Sequence, residues 1–391
     1  MALTCRGSIC AIAILLSGVT ILSSSWLFLT NGRGSAELPP RPARTPPHPD
    51  KARIAVCLVG AARRFELTGP SIMRNVLGRY PGVDLFLHSP LDGDAYKFGL
   101  LKDAPIFQPR HIVETEAHRW LLTPKKSPMG LQGLLQYFSL VEGCLGLIQT
   151  HELRNNFTYD WVVRTRVDGF WAGPLEPTAF RLNTYVIPEG SRHGGLNDRL
   201  GIGERGLSTL PLSRLSMLDN LATAGYNGLN SETAFKYQMK MGQVSSHEHK
   251  FEFCIVTNRR YKFPPGPYDT PVASMGSRGP LSGTKCRPCR PAYDGPQADQ
   301  IWARLDPTRG WVEWRNQSLG LCNAMGEWEK GWEEAFDKAA GPSDAMTRRR
   351  VAAMSIEECN LDLEVLKAKT SKWDAPDPAT ISSLHQSYII N

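Results

Sequence analysis

Residues Tyr159–Phe170 read Tyr-Asp-Trp-Val-Val-Arg-Thr-Arg-Val-Asp-Gly-Phe, and they constrain the fold more than any other stretch. Trp161, Val162 and Val163 form a short apolar run with β-branched bias, which predicts a buried strand. Arg164, Arg166 and Asp168 then alternate along its end, and Gly169 marks a turn. Three charges at the end of a buried strand are costly unless paired or used. In open α/β sheets, ligands bind just beyond the carboxyl ends of strands. A carboxylate flanked by two guanidiniums there suits a metal ion and a phosphorylated ligand. The competing reading is an internal Arg–Asp salt bridge tying strand to loop, because structural ion pairs also cluster charge.

The elements around this strand predict an α/β body. Arg53–Gly60 is an apolar strand ending at Gly60, followed by Ala61-Ala62-Arg63-Arg64. Strand, small-residue turn, then polar helix start is how many nucleotide-binding domains begin. Backbone amides from Gly60 to Ala62 can approach a nucleotide there, and Arg63 and Arg64 can meet phosphate. An ordinary turn with solvated arginines is the alternative. The turn lacks the Gly-Lys-Ser/Thr of a P-loop. Val83–His88 is a second strand. A helix runs from Ser127, an N-cap with Pro128 behind it, to Thr150, with Leu131, Leu134, Leu135, Phe138, Val141, Leu145 and Ile148 on one face. Thr184–Ile187 and Phe251–Val256 are further strands. Strands separated by helical segments predict a mainly parallel sheet flanked by helices. After Pro264 the chain is Pro/Gly-rich, then helical and Trp-rich. Met325, Trp328, Trp332 and Phe336 define a helix face, read as packing rather than sugar binding. Ser355-Ile-Glu-Glu358 forms a capping box.

Residues 9–29 carry no charge, the length of a bilayer-spanning helix. They predict an uncleaved anchor behind a short cytosolic tail of residues 1–8, since a cleaved leader has a shorter apolar core. Residues 30–52 hold Pro39, Pro40, Pro42, Pro46, Pro47 and Pro49 and form a Pro-rich, semi-rigid stem. The body that follows, of about 340 residues, suits one large α/β domain with an addition. Flanking charge points weakly the other way, with Arg33, Arg41 and Arg44 downstream and Arg6 upstream. Asn156-Phe-Thr and Asn316-Gln-Ser, both glycosylation acceptor patterns, decide for a lumenal body. The 45 basic and 38 acidic residues leave +7 with no long basic run, so nucleic-acid binding is not indicated. An anionic ligand is compatible with that excess. Of nine cysteines, Cys57, Cys144 and Cys254 sit in apolar surroundings and read as buried thiols. Cys286-Arg-Pro-Cys289 has no second pair at zinc spacing. Disulfides among Cys286, Cys289, Cys322 and Cys359 are expected instead, their connectivity open.

Taken in order, Gly60-Ala-Ala-Arg63, the helix from Gln132 to Ile148, Tyr159–Asp168, Leu196-Asn-Asp-Arg-Leu-Gly-Ile-Gly203 and Asn230-Ser-Glu-Thr-Ala-Phe235 form a series. The series resembles the nucleotide-sugar-dependent glycosyltransferases of the GT-A fold, most closely an uncharacterised plant group of Golgi-type, single-pass type II membrane proteins. The resemblance covers about residues 53–263, a nucleotide-sugar-binding domain, and leaves 264–391 as a C-terminal helical addition. It implies a Golgi membrane enzyme with a lumenal body, moving a sugar from a nucleotide-sugar donor to a glycan or other hydroxyl acceptor. It also implies an Asp-x-Asp motif that binds a divalent cation bridging the donor diphosphate. The matching triplet is Arg166-Val167-Asp168, so only the last acid is kept. Asp168 would hold Mn²⁺ or Mg²⁺. His247 and His249 read as solvated loop residues, with His249 a candidate further ligand. Alternatively Arg164 or Arg166 neutralises the diphosphate without metal. Asp198 and Glu232 stand where the family places acceptor-binding or general-base carboxylates. The incomplete acidic motif also motivates a non-catalytic sugar-binding or scaffold relative.

Overall fold

The computed structural model describes residues 45–103, 130–266, 269–305 and 318–389. The tail, the apolar run at 9–29, most of the stem, Ser127 with Pro128, and Asn316 lie outside these residues.

The first strand, β1 (Ile54–Val59), is buried at all six positions. An apolar run without alternation is the pattern of a strand covered on both faces. Ile54, Val56 and Leu58 enter one core, while Ala55, Cys57 and Val59 enter another. The helix α1 (Phe65–Ile72) and the strand β2 (Val83–His88) follow. The long helix α2 (Gly130–Asn155) then buries Leu131, Leu135, Phe138, Val141, Cys144 and Ile148. Among the described residues it is the one helix apolar and long enough to cross a bilayer, but over half of that window is buried inside the protein. It runs beyond Thr150 because Glu152 is buried and accepts from Arg205 and from the Tyr159 amide. Asn156, in the left-handed region at φ 50°, ends it.

Next come β3 (Trp161–Arg166), β4 (Gly169–Trp171), β5 (Tyr185–Pro188), β6 (Leu200–Glu204), α3 (Arg205–Leu212), α4 (Leu218–Thr223), α5 (Ser231–Met241) and β7 (Ser246–His249). The first sheet has the order β2-β1-β3-β6-β5-β7. β2, β1 and β3 are parallel, β6 runs against both β3 and β5, and β7 runs with β5. The sheet is therefore mixed but mainly parallel: β6 alone runs against the other five strands. Residues 189–199, between β5 and β6, contain no helix, and a parallel return needs a long crossover, usually a helix.

The Pro/Gly-rich region is more ordered than its composition predicts. It adds β9 (Ala273–Ser274), β10 (Lys285–Arg287), β11 (Tyr293–Asp294) and, past the helix α6 (Gly295–Ala303), β12 (Gly320–Leu321) beside β8 (Phe253–Val256). The second sheet has the order β11-β12-β9-β10-β8-β4, so strand pairing runs across residue 263. The described end of the stem also belongs to the body: the Trp161 indole donates to the Pro47 carbonyl, and Ala52 is buried.

Three disulfides staple these layers. Cys57–Cys144 joins β1 to α2, Cys254–Cys286 joins β8 to β10, and Cys289–Cys322 closes the second sheet. Cys57, Cys144 and Cys254 are thus not free thiols, and among the described residues the free thiol is the buried Cys359. Apolar surroundings do not distinguish a buried thiol from half of a buried disulfide.

The chain closes with α7 (Trp332–Ala340), α8 (Pro342–Ala352), α9 (Ile356–Lys369) and α10 (Pro378–Ile389). The Ser355–Glu358 capping box forms with both reciprocal bonds. Gly331, at φ 85°, starts α7 at Trp332, so Met325 and Trp328 precede the helix instead of sharing its face. The Trp328 indole donates to the Thr257 carbonyl at 3.0 Å, a packing role.

Candidate functional site

Parallel pairing of β1 with β3 sets Val59 beside Arg166. The turn after β1 and the charged end of β3 therefore emerge together at the carboxyl edge of the sheet. The Gly60 backbone has φ 125°, and a Cβ there would lie 2.9 Å from Val167 Cγ2. Both the conformation and the close approach require glycine. Gly60, Ala61 and Arg63 line a cleft of about 760 Å³, with Arg166 and Asp168 beside them. Asp198, Arg199 and Glu232 line it elsewhere, Tyr137 faces it from α2, and Arg259, Arg260 and Lys285 come from the second-sheet side.

Asp168 is gripped by its neighbour two residues back. Arg166 Nε donates to its Oδ1 at 2.8 Å and Nη2 to Oδ2 at 2.6 Å, a bidentate pair. Burial works to raise the Asp168 pKa, but the charge and hydrogen bonds of Arg166 outweigh it, and Lys285 and Arg63 add to the pull, holding the carboxyl at about 2. The salt-bridge reading and the cleft-lining reading both hold, since the pair is formed and a hollow lies next to it.

The donor set at this end does not fit a divalent cation. Among the described residues, no group of three or more His, Cys, Asp or Glu side chains could hold a metal ion. Asp168 already accepts two bonds, and the positive charges nearby oppose a second cation. His249 does not join it. It sits on β7, the last strand of the first sheet, with its ring 4.7 Å from Phe251, and burial followed by His247 and Arg181 lowers its pKa.

The two carboxyls read as catalytic have opposite environments. Asp198 is buried, and Ser231 donates a short hydrogen bond to its Oδ2, with Arg214 Nη2 at 3.4 Å. Burial would raise its pKa, but Arg214, Arg164, Ser231 and Arg199 together lower it. Its carbonyl also accepts from Tyr137 at 2.9 Å and, at short range, from Arg164. Asp198 is thus a pinned anion. Glu232, in the first turn of α5, is 13 % exposed; its carboxyl makes a long ion pair to Arg199 at 3.5 Å and is otherwise held only by its own backbone N–H among the described residues. Burial first and the Asp198 charge second raise its pKa. Paired carboxyls with pKa values pushed apart are the arrangement used for acid–base chemistry.

Arg164 and Arg64 are not donor ligands in this geometry. Arg164 sits one pleat deeper than Arg166, buried, with Nη1 on the Tyr137 hydroxyl and the Asp198 carbonyl. Arg64 turns away and stacks over Trp328, 4.4 Å from the ring centroid. Asn156 is exposed on the surface. Sequence reasoning missed Tyr137, Arg259 and Lys285. Lys285 lies immediately before a half-cystine, in a strand of three residues. Burial first, then Arg166 and Arg199, hold its pKa well below the ordinary lysine range.

The fold and cleft together define a mixed-sheet α/β protein with a cation-rich cleft at the carboxyl ends of two parallel strands. Residues 49–387 match the family described as a domain of unknown function (DUF7796), and the chain belongs to that family. No curated protein matches it in sequence.

Proposed function

We propose that the chain is a nucleotide-sugar-dependent glycosyltransferase of GT-A-like organisation, anchored by its N-terminus in the Golgi membrane with the body in the lumen. The observation that carries this reading is the meeting of the Gly60–Arg63 turn, Asp168 and Glu232 in one cleft at the strand ends. Arg63 and Arg166 stand beside the turn and suit the anionic donor. Arg166 keeps its orientation through Asp168. Glu232 is the general base that takes the proton of the acceptor hydroxyl as that oxygen attacks the anomeric carbon. The bond from that carbon to the diphosphate oxygen breaks, and the nucleoside diphosphate leaves as an anion beside Arg63 and Arg166. The raised pKa of Glu232 makes it a stronger proton acceptor than Asp198, whose carboxylate is already engaged. Asp198 is a positioning residue that fixes Ser231, the residue before Glu232, and Arg214. Three disulfides fit an oxidising compartment, as a lumenal body requires.

The test is a panel of sugar nucleotides given to the full-length protein in detergent, with and without chelator. Hydrolysis or transfer from one donor is expected. Silence across the whole panel would remove the reading. A second reading is a non-catalytic sugar-binding relative, favoured by the engagement of Asp168 with Arg166 and of Asp198 with Ser231 and Arg214. Turnover that disappears in Glu232→Gln eliminates that alternative.

A further inference from the structure

The second sheet brings cations to the end of β3. The Val256 amide donates to the Asp168 carbonyl at 2.9 Å, and Val256 pairs in register with Cys286 on β10. Lys285 is therefore held near Asp168, on a strand that the Cys254–Cys286 disulfide ties to β8. Arg259 lies just beyond β8. Arg63 reaches the same end from the turn after β1, and Arg166 from β3. The side chains of Arg63, Arg259 and Lys285 make no hydrogen bond or ion pair among the described residues. Arg166 spends two nitrogens on Asp168 and keeps the third. Over the whole cleft, six cationic side chains (Arg63, Arg166, Arg199, Arg259, Arg260, Lys285) face three carboxyls (Asp168, Asp198, Glu232). Like charges held together in a sheltered cleft disfavour one another, and an anion between them removes that penalty. Burial first, and then the neighbouring Arg166 and Arg199, depress the pKa of Lys285.

We infer that Arg63, Arg166, Arg259 and Lys285 bind the two phosphoryl groups of a diphosphate directly, filling the place a divalent cation takes in a complete Asp-x-Asp site. The inference rests on reading this cleft as the donor site, and it names the anion and what neutralises it. Guanidiniums from three separate segments match phosphate oxygens bidentately, and a lysine supplies a point charge. Asp168 is then a positioning residue for Arg166, not a metal ligand. Gly60 and Ala61 line the same cleft.

The probe is inorganic pyrophosphate, titrated calorimetrically into the full-length protein in detergent, once in EDTA and once with Mn²⁺. Binding in EDTA is expected. Lys285→Met and Arg259→Met should each weaken it about tenfold, the size of one lost charge-assisted hydrogen bond. Lys285→Arg should retain it, which guards against a variant that merely misfolds. Binding only with Mn²⁺, no binding in either condition, or wild-type affinity in both Met variants overturns the inference. Pyrophosphate binding in EDTA by a protein that turns over no sugar nucleotide would keep this inference and discard the transferase reading. Turnover that requires Mn²⁺ would do the reverse.

Discussion

The two ends of the cleft hold their carboxyls by opposite means. At the β3 end, Asp168 is ionised because a neighbour two residues away grips both of its oxygens. At the α5 end, one carboxyl takes the partners and the other goes nearly without. Asp198 collects Ser231 and Arg214, while the one ion pair of Glu232 is long, at 3.5 Å. Partners stabilise an anion and so reduce its appetite for a proton, whereas isolation beside another anion increases it. The contrast separates residues that build the cleft from residues that can act in it.

Removing Asp198 should break the comparison most visibly. Arg214 is buried, its guanidinium 4.8 Å from the Phe138 ring centroid and 4.6 Å from that of Phe235. Asp198→Ala leaves that cation without its counter-charge, and breaking a buried pair this way costs about 3–5 kcal/mol. Urea denaturation should show a loss of that order. A variant with wild-type stability would mean that Asp198 is not the anchor described.

Glu232→Gln should leave stability within about 1 kcal/mol, because the one long ion pair is modest. It should cost turnover on the order of 100-fold or more, the usual contribution of a general base. The wild-type rate should rise with pH through a limb lying above the ordinary glutamate value, since the ionised carboxyl is the active form and its pKa is raised. Glu232→Gln should lose that limb. Persistence of the limb in the variant would assign the base elsewhere.

Much of this was legible in the sequence where a strand is long enough to state its pattern. β2 spans the Val83–His88 run expected as a strand, and the Trp161–Arg166 strand ends in the charges that line the cleft. Short strands carry no such pattern. β9, β11 and β12 have two residues each, and β10 has three, so nothing periodic announced Lys285. Arg164 and Arg166 look equivalent in sequence and differ only in depth. The pairing of Cys57 with Cys144 depends on α2 crossing β1, a long-range contact that no local spacing encodes.

The cationic end makes a third test. The Asp168 carboxyl titrates at about 2 in the folded protein, down from 3.8. A depressed folded-state pKa stabilises the protein above the unfolded value and ceases to do so as pH falls through the folded one. The stability difference between wild type and Asp168→Asn should therefore be full at pH 5 and shrink between about pH 4 and pH 2. A difference that stays constant over that window would show that the Arg166 pair is not what holds the charge.

The smallest effect separates two adjacent arginines. Arg63 lines the cleft, whereas Arg64 lies over the rings of Trp328 and Trp332 at 4.4 and 5.3 Å. Arg64→Ala removes a partly exposed cation–π contact, so it should cost about 0.5–1 kcal/mol of stability and leave pyrophosphate affinity unchanged. Arg63→Ala should do the converse, weakening the anion with little effect on the melting temperature. The same turn supplies both residues, and the positive φ of Arg63 (27°) begins to divert the chain between them. Equal loss of affinity in the two variants would mean that the turn acts through its shape rather than through the side chain aimed into the cleft.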